Sequence, residues 1–211
     1  HKQRIMNFLD KIDPAAERIG AVNTIKVETD GGWAGYNTDY SGFLHSLQKY
    51  RDEISACLLI GAGGAGRAVA FAVCDLPQIE FICLMNRHAR KSRALQEELA
   101  LYKSIRYRVA ETENDTAGMP YDLIINATPV GMGELKTSLP LDPRAYAHQT
   151  TIVYDLIYNP AQTLFLQRAK EAGLRTVNGW PMLLGQAEEA FRIWTGRGFT
   201  KEVVKKIEQI F

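Results

Sequence analysis

The sequence predicts an α/β protein: a doubly wound parallel sheet with a second, smaller unit. Three observations predict it. Apolar strand-like runs alternate with helical runs from residue 40 to residue 177, and a glycine-rich turn stands between the first of these strands and its helix. The two ends, residues 1–39 and 178–211, carry patterns that do not extend the alternation. Neither end holds enough apolar surface to stand alone, so they are expected to pack together, with a cleft between the two units as the site.

Composition narrows the function. Of 211 residues, 46% are hydrophobic, which is ample for a buried core. Lys plus Arg number 25 against 24 acidic residues, so no general field draws the chain to nucleic acid or an anionic membrane, and any anion site must be local. Cys57, Cys74 and Cys83 are odd in number and lie among apolar neighbours, which reads as reduced thiols inside a cytoplasmic protein. The four histidines are scattered and outline no metal site. No apolar run approaches the ~20 residues of a membrane span. The opening HKQRIMNFLDKID has neither an initiator methionine nor a signal-peptide core and reads as a cut or incomplete chain.

The elements follow in order. AVNTIKVETDGGWAGYNTD, residues 21 to 39, is a β-hairpin: IKVE alternates apolar and polar, Thr29-Asp30-Gly31-Gly32 is turn chemistry, and the chain then runs extended to Tyr36. Folding about that turn brings Asn23 and Asn37 together at the open end, with Asp39 just beyond, so three polar side chains converge. YSGFLHSLQKY is a short helix capped by Asp39 or Ser41. ACLLIGAGGAGRAVAFAV is strand, turn and helix; FICLMNR and HARKSRALQEELALY are the next strand and helix. SIRYRVAE, YDLIINAT and TIVYDLIY are strands, AQTLFLQRAKEAG is an amphipathic helix ended by Gly173, and RTVNG is a last short strand. PMLLGQAEEAFRIWTG and TKEVVKKIEQIF are helices, the second opened by Thr200 with a staple-like Phe199 before it.

Gly61-x-Gly63-x-x-Gly66 sits directly after a strand and at the head of a helix, where a Rossmann-type fold places a pyrophosphate. In an NAD-specific fold a carboxylate follows about twenty residues on, to bind the ribose hydroxyls. Here the strand ends Asn86-Arg87-His88-Ala89-Arg90-Lys91 instead. A basic cluster suits the extra phosphate of NADP, with the Arg87 guanidinium giving planar recognition; a solvated helix start is the other reading, above all for Arg90 and Lys91. The strand end Asn126-Ala127-Thr128-Pro129-Val130-Gly131-Met132 either lines the cofactor or is a plain loop. By residue type alone, Lys2 reads as a solvated terminal charge, Asp39 as a helix cap, Asn23 as a turn residue and Gln186 as helix surface.

Taken together, HK at residues 1 and 2, IGAVNT at 19 to 24, GYNTDYSG at 35 to 42, GAGGAGRA at 61 to 68, NR at 86 and 87, NATPVGM at 126 to 132, DLIYNP at 155 to 160 and GWPMLLGQAEEAF at 179 to 191 resemble the shikimate dehydrogenases and their quinate-using relatives. The pieces occur in family order over essentially all the chain. The resemblance implies reversible NADP-linked reduction of 3-dehydroshikimate to shikimate, in aromatic amino-acid (chorismate) biosynthesis. It makes Lys2 and Asp39 the catalytic pair, Asn23 a substrate-binding residue, and Tyr158 and Gln186 residues facing substrate and nicotinamide. Cofactor contacts are implied for Gly61, Gly63, Gly64, Ala65, Gly66, Asn86, Arg87, Lys91, Thr128 and Gly179. No metal is implied, and the assembly is expected to be a monomer or homodimer.

The family also carries, upstream of its lysine, most of a small α/β substrate domain with a serine pair for the substrate carboxylate. Residues 1–39 are therefore expected to be the remainder of an incomplete substrate domain, 40–177 the NADP-binding domain, and 178–211 helices returning to the first. Pro129 replaces the family's serine after Asn-Ala-Thr, and His88 its threonine after Asn-Arg. Two other readings stand beside the main one: an NAD-using quinate/shikimate dehydrogenase, and a nucleotide-binding fragment without catalysis.

Overall fold

The computed structural model of the chain describes residues 1–116 and 119–209. A 3-10 turn over Arg4–Phe8 leads into the two-residue strand β1 (Lys11–Ile12) and helix α1 (Pro14–Ile19), which the sequence pattern did not disclose. Proline suits the first position of α1, where the missing N–H would have had no helical partner, and the Asp13 carboxylate accepts from the amides of Ala15 and Ala16. The hairpin forms as expected: β2 (Thr24–Val27) pairs antiparallel with β3 (Trp33–Tyr36), with Ile25 opposite Gly35. Gly31 turns the chain at φ 85°, a conformation that costs glycine nothing. β1 adds parallel to the other side of β3, giving a three-stranded sheet.

Helix α2 (Thr38–Ser46) leaves the hairpin directly. Its cap is Asn37, whose Oδ1 accepts from the Tyr40 amide, rather than Asp39 or Ser41. The helix starts earlier than its apolar pattern indicates, so Asp39 already lies in the first turn. The Asn37 amide group donates to the Ala21 carbonyl at 2.9 Å, which turns this side chain away from Asn23 and Asp39. Two polar groups converge there, not three.

The larger sheet is built from β4 (Ala56–Ile60), helix α3 (Gly64–Cys74), β5 (Phe81–Met85), helix α4 (Ala89–Tyr102), β6 (Arg106–Ala110), β7 (Tyr121–Asn126), β8 (Ala147–Asp155), helix α5 (Leu164–Glu171) and β9 (Arg175–Val177). The strand order is β6-β5-β4-β7-β8-β9, and every pairing is parallel. The chain runs outward from β4 in one direction and from β7 in the other, so the crevice between them is the switch point where such sheets bind ligands. Buried side chains cover both faces of the sheet, as the unbroken apolar runs of β4 and β5 require. β8 starts before the expected residue 151 because Ala147 pairs with Tyr121 across a register shift, and it ends at Asp155, leaving Leu156 to Tyr158 in the following loop. Cys57, Cys74 and Cys83 are buried free thiols. No helix among the described residues is long and apolar enough to cross a membrane.

Helices α6 (Trp180–Thr195) and α7 (Lys201–Glu208) close the chain. Thr200 caps α7 by accepting from the Val203 amide, while the Phe199 ring lies against Phe191 of α6, with centroids 5.3 Å apart. α6 crosses α2 where each helix offers a glycine. A Cβ on Gly42 would sit 2.7 Å from the Met182 carbonyl oxygen and 2.8 Å from the Gln186 amide, and one on Gly185 would lie 3.0 Å from Gly42 Cα. Farther along, the Trp194 indole donates to the Ile25 carbonyl at 2.9 Å, so α6 reaches the hairpin. α2 also rests on the large sheet, through Phe43 against the Tyr154 ring and a Tyr154 hydroxyl bond to Ser46.

The crossing makes a measurable demand. Alanine is about 1 kcal/mol better than glycine inside a helix, yet Gly42→Ala is expected to lower the unfolding free energy by about 1–3 kcal/mol, because backbone atoms of α6 occupy the space. Urea denaturation of the two proteins checks this, and a gain in stability would contradict so close a crossing.

Candidate active site

The first strand and its turn explain three glycines separately. Gly61 has φ 107°, and a side chain there would press on the Ala127 backbone. A Cβ on Gly66 would lie 2.2 Å from the Gly61 carbonyl oxygen, so the third glycine lets α3 pack onto the strand end. Gly63 has nothing within 4 Å of its absent Cβ, and both it and Gly64 are exposed at the helix N-terminus. That open backbone is what a pyrophosphate needs in order to approach amide groups and the positive end of a helix. The residues present therefore fit a dinucleotide, with Ala65 in the first turn of α3 behind them.

Asn86 follows β5 beside this turn: its Oδ1 accepts from the Ala62 amide at 3.4 Å and its Nδ2 donates to the His88 carbonyl at 3.1 Å. Arg87 and Lys91 are exposed at the start of α4, and Lys91 shares a cleft with the glycine turn. The cleft, of about 520 Å³, is lined by His1, Lys2, Arg4, Gly63, Gly64 and Arg67 among others. Four cations, Lys2, Arg4, Arg67 and Lys91, stand on its walls, and of these Lys2 and Arg67 are each paired with a carboxylate.

Lys2 joins this cleft to the hairpin. Its Nζ stands 2.5 Å from Asp39 Oδ2, and its backbone carbonyl accepts from the Val22 amide at 2.9 Å. The lysine side chain is 42% exposed and the aspartate 6%, so one member of the pair faces the cleft and the other anchors it. Asn23 holds the other oxygen of Asp39, its Nδ2 donating at 3.0 Å. Its own Oδ1 accepts from the Thr38 amide at 2.9 Å and the Thr24 hydroxyl at 3.0 Å, which fixes the orientation of the amide group. Asn23, Thr24 and Thr38 are thus one hydrogen-bonded unit beside a buried carboxylate.

The remaining predicted residues are placed less uniformly. Gln186 lies on α6 at the crossing, where a Cβ on Gly42 would meet its Cγ at 2.8 Å; Gly42 follows Asp39 by three positions on α2. Tyr158 is 48% exposed in the loop after β8, and no hydrogen bond joins it to Lys2 or Asp39 among the described residues. Gly179 is buried, donating to the Ile157 carbonyl, and a Cβ there would lie 2.0 Å from the Leu156 carbonyl oxygen, so in this structure it packs the start of α6 against that loop. Thr128 turns the strand end: its hydroxyl donates to Asn126 Oδ1 at 2.7 Å and accepts from the Val130 amide at 3.2 Å.

Behind Thr128 is a buried network that sequence reasoning missed. Asn126 Nδ2 donates to Asp155 Oδ1 at 3.0 Å, and Asp155 also accepts from the Ile157 amide at 3.0 Å and the Thr163 hydroxyl at 2.6 Å. It ties together the two loops at the carboxyl edge of the sheet. Burial pushes the Asp155 carboxyl up to about 6, against the opposing pull of these three donors. Arg67 was missed too, although a lone cation in the apolar run of α3 was a visible signal that it has a partner.

Comparison with known proteins follows the same lines. The model of the shikimate dehydrogenase substrate binding domain matches residues 1–25, and that of the shikimate 5'-dehydrogenase C-terminal domain matches residues 179–206. A shikimate dehydrogenase (NADP(+)) of Caldanaerobacter subterraneus subsp. tengcongensis is 38% identical over 206 residues, covering 97% of this chain and 72% of that protein. The chain belongs to the shikimate dehydrogenase family. Among solved structures, the shikimate 5-dehydrogenase of Thermus thermophilus in complex with NADP(H) and shikimate is similar at a TM-score of 0.81 and 35% identity, covering 97% of this chain and 74% of that one. The quinate dehydrogenase of Corynebacterium glutamicum in complex with NAD is similar at a TM-score of 0.84 and 28% identity, covering 93% and 70%. Family membership agrees with the fold expected here: an α/β chain with a parallel six-stranded sheet and a smaller second sheet.

The raised carboxyl of Asp155 sets a pH dependence with a definite sign. In the unfolded chain the group ionises near 3.8, so between about pH 4 and pH 6 the folded state holds a proton that the unfolded state has lost, and stability falls as pH rises through that window. In Asp155→Asn this component is absent. The unfolding free energy of the variant relative to the unsubstituted protein is expected to shift in its favour by about 2–3 kcal/mol from pH 4 to pH 7, read from denaturant melts at several pH values.

Proposed function

We propose that this chain is an NADP-dependent shikimate dehydrogenase, an oxidoreductase acting on a CH–OH group that interconverts 3-dehydroshikimate and shikimate in aromatic amino-acid (chorismate) biosynthesis. Lys2 and Asp39 are its catalytic pair. The observation that carries the reading is an ammonium held at 2.5 Å by a buried carboxylate and facing the same cleft as an open dinucleotide turn. When bound, NADP accepts or supplies the hydride. A ketone accepting hydride develops negative charge on its oxygen; the Lys2 ammonium stabilises that charge and delivers the proton, and in the oxidative direction the amine takes it back. Asp39 orients the ammonium and accepts from a substrate hydroxyl. Asn23 keeps Asp39 in place and has one N–H left to offer the substrate.

The roles of the flanking residues are those the family resemblance implies. Gly61, Gly63, Gly64, Ala65 and Gly66 hold the pyrophosphate, while Asn86, Arg87, Lys91 and Thr128 hold the adenosine side and the loop beside it. Gln186 and Tyr158 face the substrate and the nicotinamide, and Gly179 shapes the cofactor side of α6. Residues 1–39 and 178–211 form the substrate unit and 40–177 the cofactor unit, with α2 passing across the boundary. The three buried thiols support a cytoplasmic setting, and a monomer or homodimer suffices because every proposed group comes from one chain.

Lys2→Ala is expected to lower turnover of shikimate with NADP by a factor of at least about 100 while leaving NADP affinity nearly unchanged, measured by absorbance and by cofactor titration. Full turnover in the variant would remove Lys2 from the mechanism, and tight NADP binding without turnover in the unsubstituted protein would favour a nucleotide-binding fragment. Arg87→Ala is expected to weaken NADP far more than NAD. Equal losses would show that Arg87 does not read the phosphate, and a native preference for NAD would favour a quinate-type enzyme.

A further inference from the structure

Arg67 is the only charged residue of α3, and it spans three separate parts of the molecule. Its backbone amide donates to the Gly63 carbonyl at 2.8 Å, as part of the first turn after the dinucleotide loop. Its Nε donates to the Ile19 carbonyl, at the end of α1, at 2.9 Å. Its two terminal nitrogens fork onto the Glu98 carboxylate of α4 at 2.9 and 2.5 Å. The side chain is 15% exposed and lines the cleft that holds Lys2 and the glycine turn.

Ile19 is three residues from Val22, whose amide bonds the backbone of Lys2, and both Ala21 and Val22 are buried. A guanidinium anchored to α3 and α4 therefore holds the segment on which Lys2 rests. We propose that Arg67 is a positioning residue for the reaction: it sets where the Lys2 ammonium stands relative to the dinucleotide turn, and so whether proton and hydride transfer are aligned. Arginine suits this because only a planar fork can satisfy both oxygens of Glu98 while a third N–H reaches the carbonyl of Ile19. Misplacement of a reacting group by about 1 Å can cost on the order of 100-fold in rate.

The kinetic part of this inference rests on the dehydrogenase reading above, so the test has a second readout that does not. Arg67→Ala, Arg67→Lys and Glu98→Gln are compared with the unsubstituted protein by amide exchange, cofactor titration and turnover with deuterated NADPH. In Arg67→Ala the Val22 amide is expected to exchange at least about 10-fold faster while amides of β4 and β7 keep their protection. kcat is expected to fall by about 10- to 100-fold, with NADP affinity within about 3-fold and a larger primary isotope effect. Lysine at this position is expected to recover part of each loss. Should Arg67→Ala fail to fold, Arg67→Lys and Glu98→Gln carry the same comparison with smaller shifts. Unchanged Val22 exchange would overturn the proposal, and so would a loss of NADP affinity equal to the loss of kcat, which would make Arg67 a cofactor contact. Absence of turnover in the unsubstituted protein would refute the dehydrogenase reading, while Val22 exchange would still decide whether Arg67 holds the Lys2 segment.

Discussion

The close approach of α2 and α6 at Gly42 and Gly185 is the constraint on which the rest of the molecule depends. α2 begins with Asp39 in its first turn and ends against the large sheet, while α6 begins beside the loop after β8 and ends on the hairpin. With backbones this near, the two chain ends and the sheet are held by one helix pair, and the first turn of α2 is presented to the cleft in a fixed orientation. A larger residue at either glycine would separate the helices and move Asp39 with them. Stability and site geometry are therefore properties of the same contact.

Within the cleft, the polar groups divide into those that are spent and those that are free to act. Asp39 is nearly buried, yet both of its oxygens have partners, which removes the penalty of an unpaired interior charge. Its partner Lys2 is far more exposed, so the pair presents an ammonium to the cleft from a buried anchor. Asn126 and Asp155 show the opposite case: their donors and acceptors are consumed in holding two loops, and the cost appears as a carboxyl raised by burial. They shape the edge of the site without offering it a free group.

Legibility in the sequence followed the range of the interactions. The hairpin was readable because alternation and a Gly-rich turn are local, and the β-α alternation because each period is a property of a few consecutive residues. β1 and α1 were not readable: two residues of strand are defined only by pairing with β3, and a six-residue helix has too few turns to show a stripe. The cap of α2 was misplaced because Asn37, Asp39 and Ser41 are all good caps by type, and only the extended backbone of Asn37 decides among them. Asp155 reads as the end of an apolar strand until its three donors, from separate positions along the chain, are brought to it.

The sequence by itself determined the fold class, the place of the glycine turn and, through motifs spread along the chain, the family. These follow from local backbone preference and from short spacings, which survive in one dimension. Only the tertiary structure decided that Asn37 turns away while Asn23 grips Asp39, that Gly179 is packed against Leu156, and that Arg67 ties α3 to Ile19 at the end of α1 and to Glu98 of α4. Each of those depends on where a hydrogen-bonding group from a distant part of the chain arrives, and residue type alone carries no information about which of several possible partners will be there.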